Sequence, residues 1–294
     1  MNKIVGYLSD KIEKRLLSLM EASNFDKEDI TSININGTTK RILLDDGFVV
    51  LKTGHPGRFE ANTNSQLVFS ESLLIDFLIG YYRVRTQYEN LKTLVDSKDY
   101  NPSWPLVTAY YCAFFSAIDI LRIFKIVNIG FDDRDIASLC SKIEGDHENV
   151  YNHRNYVGVI SADYQKIKFV SSAEKPHKAT WVGLKKYVFD EINKKKNDWV
   201  EIAIISNILD GKRNWSFPSD VRNNWNYKRA DLFSSNGMEI GKEFKKIIGD
   251  SDKAVSWLSS NATCGGEKHH AASIAMLCEV LYSSIDNAYS NLFK

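Results

Sequence analysis

The amino-acid sequence predicts a mainly α protein, a helical bundle with a small antiparallel β element near the N-terminus. Helix breakers are few, because the 294 residues include five prolines and 16 glycines, and both residue types destabilise helix interiors. Two segments repeat apolar residues at alternating spacings of three and four, which is typical of amphipathic helices. No alternation of strands and helices indicates a doubly wound sheet.

Residues 1–69 are predicted to form an N-terminal helix followed by a β-meander. Apolar residues recur every four positions between Ile4 and Leu16 and predict a helix over 1–22. Three short apolar runs, at 30–35, 41–44 and 48–51, are separated by Asn-Gly and Asp-Gly pairs. Such pairs favour the tight turns of hairpins, so each run is expected to be a strand.

Residues 70–294 are predicted to form the helical bundle. One long helix is expected over 70–95, with Ser70 as its N-cap, and another over 268–292. Each carries seven apolar residues at heptad spacing. They are Leu74, Phe77, Tyr81, Val84, Tyr88, Leu91 and Val95 in the first, and Ala271, Ile274, Cys278, Leu281, Ile285, Ala288 and Leu292 in the second.

Between these two helices, the segment 105–127 is apolar nearly all round and predicts a buried central helix. Shorter helices are expected at 133–144, 180–196 and 198–209. The runs 157–160 and 168–170 fit a strand or a loop equally well.

Composition excludes several classes of protein. The 38 basic and 37 acidic side chains give a net charge of +1, which excludes a disordered tail and a strongly basic nucleic-acid coat. Four cysteines without CxxC spacing fit free thiols in a reducing cytoplasm rather than a zinc site. Phosphate-loop, zinc-hydrolase and serine-hydrolase motifs are missing. We therefore expect a cytoplasmic protein with no membrane span, metal or cofactor.

One segment, WSFPSDVRNNWNYK at 215–228, has the residue types of a functional site. Pro218 suits the first turn of a helix, on which α-helical spacing pairs Arg222 with Asn226 and Asn223 with Tyr227. Asparagine is a poor helix former, so these polar groups either satisfy buried backbone or form an Arg-centred recognition or catalytic surface. The region 185–230 has a local charge of +4. An RNA contact surface would use Arg222, Asn223, Asn226, Lys228 and Arg229.

Two stretches resemble HEPN-domain proteins, over about 105–230 at most. The small and aromatic run at 109–117 resembles the core helix of that family, and the Arg-Asn segment at 221–227 resembles the polar helix that follows it. The resemblance implies a helical bundle, commonly dimeric. Many members are metal-independent RNases of toxin–antitoxin and phage-defence systems, and others are non-catalytic partners.

The catalytic signature of the family, an Arg followed after four to six residues by a His, is not intact here. Tyr227 occupies the place after Arg222, and a phenol with an ordinary pKa near 10 is a poor general base. Arg222 and Tyr227 are the catalytic candidates if the chain cleaves RNA, with His153 or His147 brought in from elsewhere. The absence of the family's His at this place affects the expected RNA cleavage more than the expected RNA binding, because Arg222 can still bind a phosphate.

These observations give three hypotheses. The first is a HEPN-like prokaryotic defence or toxin–antitoxin protein, dimeric or bound to a partner protein, that binds RNA and is at most a diverged RNase. The second is a non-catalytic scaffold or regulatory subunit, in which part of the two heptad stripes forms an interface. The third, an ordinary metabolic enzyme, has no motif behind it.

Overall fold

The computed structural model describes residues 2–26, 35–45, 49–55, 57–98, 100–144 and 153–294, and it confirms a mainly α protein. Two of the helices continue directly into π-helical segments, Lys185–Phe189 and Asn224–Lys228. In chain order the α-helices are α1 Lys3–Ser23, α2 Thr39–Leu44, α3 Gln66–Asp96, α4 Ser103–Ile123, α5 Asp133–Lys142, α6 Pro176–Leu184, α7 Asp190–Lys195, α8 Val200–Asp210, α9 Pro218–Asn223, α10 Ser235–Ile247, α11 Ser251–Ser260 and α12 Glu267–Phe293.

The strands of the described residues form one mixed sheet. They are β1 Val50–His55, β2 Arg58–Asn62, β3 Ile126–Gly130, β4 Ile143–Glu144, β5 Asn155–Ile160 and β6 Lys166–Ser171. Their order across the sheet is β3–β5–β6–β2–β1–β4. Neighbours are antiparallel except β1 and β4, which pair in parallel. On the buried face the rings of Phe59 and Phe169 stack across β2 and β6, with centroids 4.4 Å apart.

This sheet differs from the predicted N-terminal meander. Residues 41–44, predicted as a strand, belong to helix α2, and the third predicted strand begins at Val50; residues 30–34 and 46–48 lie outside the described residues. Helix α2 is held from a distance, because the Thr39 backbone N–H donates to Asp76 on α3 and so satisfies one of the open donors of the helix start. Strands from both sides of residue 69 pair in one sheet.

The long helices lie where the apolar spacing predicts them. The fourteen heptad residues of α3 and α12 are all buried within the chain. The start of α3 differs slightly from the predicted start at Ser70, since the helix begins at Gln66 with Ser65 as its N-cap. Ser70 instead donates its hydroxyl to the Gln66 carbonyl.

Helix α4 lies at the centre of the helices and contacts α3, α12 and α6. It is long and apolar enough to cross a bilayer, yet 72% of its most apolar window is buried inside the fold, as in the core helix of a soluble protein. Buried small residues on α4, among them Cys112 and Ser116, form a seam along which neighbouring helices approach. The sequence prediction of a buried central helix is therefore confirmed.

A carboxylate is buried where α3 meets α4. Asp119 is fully buried and pairs with Arg122 at 3.2 Å and Arg83 at 3.8 Å. Burial raises the pKa of Asp119 to about 7, although both arginines favour its ionised form. Gly80 faces this carboxylate on α3, and an added Cβ would lie 2.2 Å from Asp119 Oδ1. The missing side chain at Gly80 is thus what lets the two helices approach here.

We expect Gly80→Ala to lower the free energy of unfolding by about 1–3 kcal/mol, the usual cost of overpacking a core. The carboxylate cannot move aside without breaking its contacts with the two arginines. Urea unfolding measures the effect. Gly183→Ala in α6 is the matched control, because its Cβ would lie 3.4 Å from Leu121 in ordinary contact, and alanine favours the helix. Equal stability of the two variants would contradict the prediction.

A second buried carboxyl joins α3 to α12. Tyr88 donates its hydroxyl to Glu279 at 2.9 Å, and the Gly249 backbone N–H also donates at 2.9 Å. Burial raises the pKa of Glu279 from 4.5 to about 7. The folded chain therefore keeps a proton on Glu279 at pH values at which the unfolded chain has lost it.

We expect this carboxyl to make stability fall as pH rises. Its contribution, about 3 kcal/mol for a pKa raised from 4.5 to about 7, is complete below pH 4.5 and lost above pH 7. Unfolding free energies of the wild type and Glu279→Gln between about pH 5 and pH 8 should show a smaller slope in the variant. The raised pKa of Asp119 adds the same pH dependence to the unfolding free energy of the wild type and of the variant. Exposed Glu89→Gln on α3 should keep the wild-type slope, and an unchanged slope in Glu279→Gln would refute the assignment.

Candidate functional site

The Arg-Asn segment forms α9 and the π-helical turn that follows it. Val221 and Trp225 are buried, as expected of the core face. The predicted pairing of Arg222 with Asn226, and of Asn223 with Tyr227, assumed α-helical spacing throughout. In the π turn the backbone bonds span five residues, as from Arg229 N–H to the Asn224 carbonyl. This wider turn brings the Tyr227 ring to 5.8 Å from the Arg222 guanidinium.

Arg222 is buried, with 8% of its surface exposed. Its guanidinium lies 5.3 Å from the ring centre of Tyr110 and 5.4 Å from that of Tyr111, both on α4. Its Nε makes no hydrogen bond with any described residue, and no carboxylate of those residues pairs with it. Taking a cation out of water is costly unless an anion compensates. The guanidinium is therefore left with binding capacity for an anion.

His177, in the first turn of α6, completes the arrangement. Its ring stacks on Phe114 at 4.2 Å, and its Nδ1 lies 2.7 Å from the Tyr110 hydroxyl. Burial, and then the charge of Arg222, lower the pKa of His177. We call Arg222, Tyr110, Tyr111, His177 and Tyr227 the Arg222 cluster.

The hydrogen bonds around Tyr110 fix the tautomer of His177. Trp181 donates its indole N–H to the Tyr110 oxygen at 3.3 Å, and burial raises the pKa of Tyr110 to about 12, so the phenol keeps its proton. That proton needs an acceptor, and a buried hydroxyl without one is costly. His177 Nδ1 is the acceptor in reach, so the ring proton of neutral His177 is on Nε2. The cluster thus holds two N–H donors, the guanidinium of Arg222 and the imidazole Nε2–H of His177.

The other predicted RNA-contact residues differ in their exposure and in their ion pairs. Asn223 and Asn226 are half-buried, and Lys228 is exposed. Arg229 pairs with Asp231 at 2.6 Å and with Glu267, which raises its pKa. Its charge is therefore paired with carboxylates, whereas the guanidinium of Arg222 has only ring contacts among the described residues.

Of the two further histidine candidates, one lies within the described residues. His153 lies beside Tyr156 at the start of β5, with the rings 6.3 Å apart, and His147 is outside the described residues. Within the basic region 185–230, Lys194 pairs with Glu191 at 2.5 Å and Lys196 lies over the Trp199 ring. Within the described ranges no three His, Cys, Asp or Glu side chains gather to hold a metal ion.

The sequence did not indicate His177, because the next helix is predicted to begin at about residue 180. The helix begins at Pro176 instead. The spacing of His177, Trp181 and Leu184 by four and three was the signal available, since it places the imidazole on the buried side of that helix.

We expect the pKa of His177 to lie below the ordinary histidine value of 6.5 and to rise in Arg222→Gln, because the variant removes the neighbouring positive charge. Histidine NMR titration measures both pKa values, and ¹⁵N shifts should report the Nε2–H tautomer. The control Arg229→Gln should leave the pKa of His177 unchanged. A wild-type pKa at or above 6.5, or an Nδ1–H tautomer, would show the described hydrogen bonding to be wrong.

No protein-family model, curated protein or solved structure matches this chain.

Proposed function

We propose that the chain binds RNA at the Arg222 cluster, as a HEPN-like protein of a prokaryotic defence or toxin–antitoxin system that acts in the cytoplasm as a homodimer or with a partner protein. The observation that carries the proposal is the buried guanidinium of Arg222, which pairs with no carboxylate of the described residues. A phosphate group supplies the missing negative charge, and arginine binds phosphate through paired N–H donors.

The surroundings of Arg222 favour RNA over a simple inorganic anion. Tyr227 is 72% exposed and offers a ring on which a base can stack. Asn223 and Asn226, on the same short segment, carry amides that can bond a 2′-hydroxyl. Phosphate, base and sugar contacts would then come from one segment of about seven residues.

The state of His177 favours binding over cleavage. A general base for a 2′-hydroxyl needs a free ring nitrogen, whereas Nδ1 accepts from Tyr110 at 2.7 Å and Nε2 holds the proton. His177 can therefore donate a hydrogen bond to a phosphate oxygen through Nε2. Metal-independent cleavage is the second candidate function, because His177 and Arg222 both contact Tyr110, at 2.7 Å from its hydroxyl and 5.3 Å from its ring centre.

The heptad stripes do not favour the scaffold hypothesis. It depended on heptad stripes wider than one core requires, but the stripe residues of α3 and α12 are buried inside the chain.

We expect Arg222→Gln to weaken RNA binding roughly tenfold to a hundredfold, as for a lost hydrogen bond to a charged group. The slope of log affinity against log salt should fall by about 0.7, the share of one phosphate contact on a single strand. Fluorescence anisotropy with labelled RNA measures both quantities. Exposed Arg134→Gln on α5 is the charge-matched control.

The same proteins also test cleavage. Incubation with RNA should give no products, or products that disappear in both Arg222→Gln and His177→Gln. Equal affinity and equal salt slope in the wild type and Arg222→Gln would overturn the proposal.

A further inference from the structure

We infer that the RNA lies as a single strand along a ladder of two cations and three rings, which runs from the Arg222 cluster along α4 to α3. In order, the ladder consists of Arg83, Phe115, Tyr111, Arg222 and Tyr227. The inference rests on the proposed function, since Arg222 belongs to both, but it adds Arg83 and Phe115 to the contact surface and specifies the strandedness of the ligand.

Each member of the ladder contacts the next. The Arg83 guanidinium lies 4.0 Å from the Phe115 ring centre, and the rings of Phe115 and Tyr111 are 5.9 Å apart with a 29° angle between their planes. Arg222 follows at 5.4 Å from Tyr111, and Tyr227 at 5.8 Å from Arg222. Phe115 and Tyr111 share a face because they are four residues apart on α4.

The ladder follows the part of α4 that the other helices leave uncovered. Phe115 and Tyr111 are half-buried, unlike most of the helix. Trp104, two turns before Tyr111, is 58% exposed and extends the same aromatic face. At the other end, the side chain of Arg83 is 43% exposed.

Arg83 is held in place before any ligand arrives. Its Nη2 lies 3.8 Å from the buried carboxylate of Asp119, while its guanidinium sits over the Phe115 ring. A guanidinium plane can stack on a base as an aromatic ring does. Because the side chain is already ordered, less conformational freedom is lost on binding.

The chemistry of this surface selects a single strand. Rings and guanidinium planes stack on bases whose faces are free, and every base has such a face. In an A-form duplex the bases are paired and stacked inside, so that phosphates and 2′-hydroxyls are what a protein meets. A duplex could bind Arg222 but would leave Phe115 and Tyr111 without a partner.

The test measures the affinity of the full chain for a labelled oligouridylate of about 12 nucleotides and for an RNA duplex of the same length. Two conservative variants probe the ladder away from Arg222. Phe115→Leu keeps an apolar side chain without a ring, and Arg83→Lys keeps the charge near Asp119 without the plane. Arg85→Lys is the matched control, because Arg85 is also on α3 but pairs with Glu89 at 3.2 Å. Circular dichroism establishes that each variant is folded.

We expect the wild type to prefer the single strand, and Phe115→Leu and Arg83→Lys each to weaken that binding roughly fivefold or more, the lower range for loss of one base-stacking partner. Arg85→Lys should bind as the wild type does. The ladder is refuted, with the proposed function intact, if Arg222→Gln weakens binding while both ladder variants bind normally, or if the duplex binds as tightly as the single strand. If the wild type binds neither RNA, the proposed function fails and the ladder with it.

Discussion

The apolar surface of α4 is the constraint on which the rest of the structure depends. A helix that is apolar on nearly every side must be covered on nearly every side, and α3, α12 and α6 are placed to do so. Burying such a helix contributes the largest favourable term available to the fold. The cover is incomplete along one face, where Tyr111 and Phe115 remain half-buried. The candidate site is at this gap, so the same helix organises the core and the surface.

The partly buried arginines near α4 have two kinds of neighbour. Arg122 and Arg83 have carboxylates beside them, because Asp119 and Asp76 lie within 4 Å of one or both guanidinium groups. Arg222 has tyrosine rings instead, which attract a cation more weakly than a carboxylate does. A purely structural arginine gains from the first arrangement. The second leaves a guanidinium whose best partner is an anion from outside the chain.

Sequence patterns predicted the elements whose structure follows from local spacing. In α3, α12 and α4, the spacing of apolar residues along the helix is enough to show which side chains are buried. The patterns failed where a distant residue determines the local structure. At α2, the first turn is stabilised by a hydrogen bond to Asp76, thirty-seven positions along the chain. At the site, spacing indicated Arg222 and Tyr227 but not their contact, which requires a π turn. His177 was missed because the sequence separates it from Arg222 by forty-five positions, and only the packing of their helices on α4 and on each other brings them together.

The π turn at Asn224–Lys228 has a consequence for how this site can change over evolution. A π turn contains one residue more than the α turn it replaces, so the approach of Tyr227 to Arg222 is encoded by chain length as well as by residue type. Deleting one residue from this stretch would restore α spacing and rotate the phenol away, with every other side chain of the site kept. Among homologous sequences, an alignment gap here would therefore mark loss of the site as a substitution of Arg222 would.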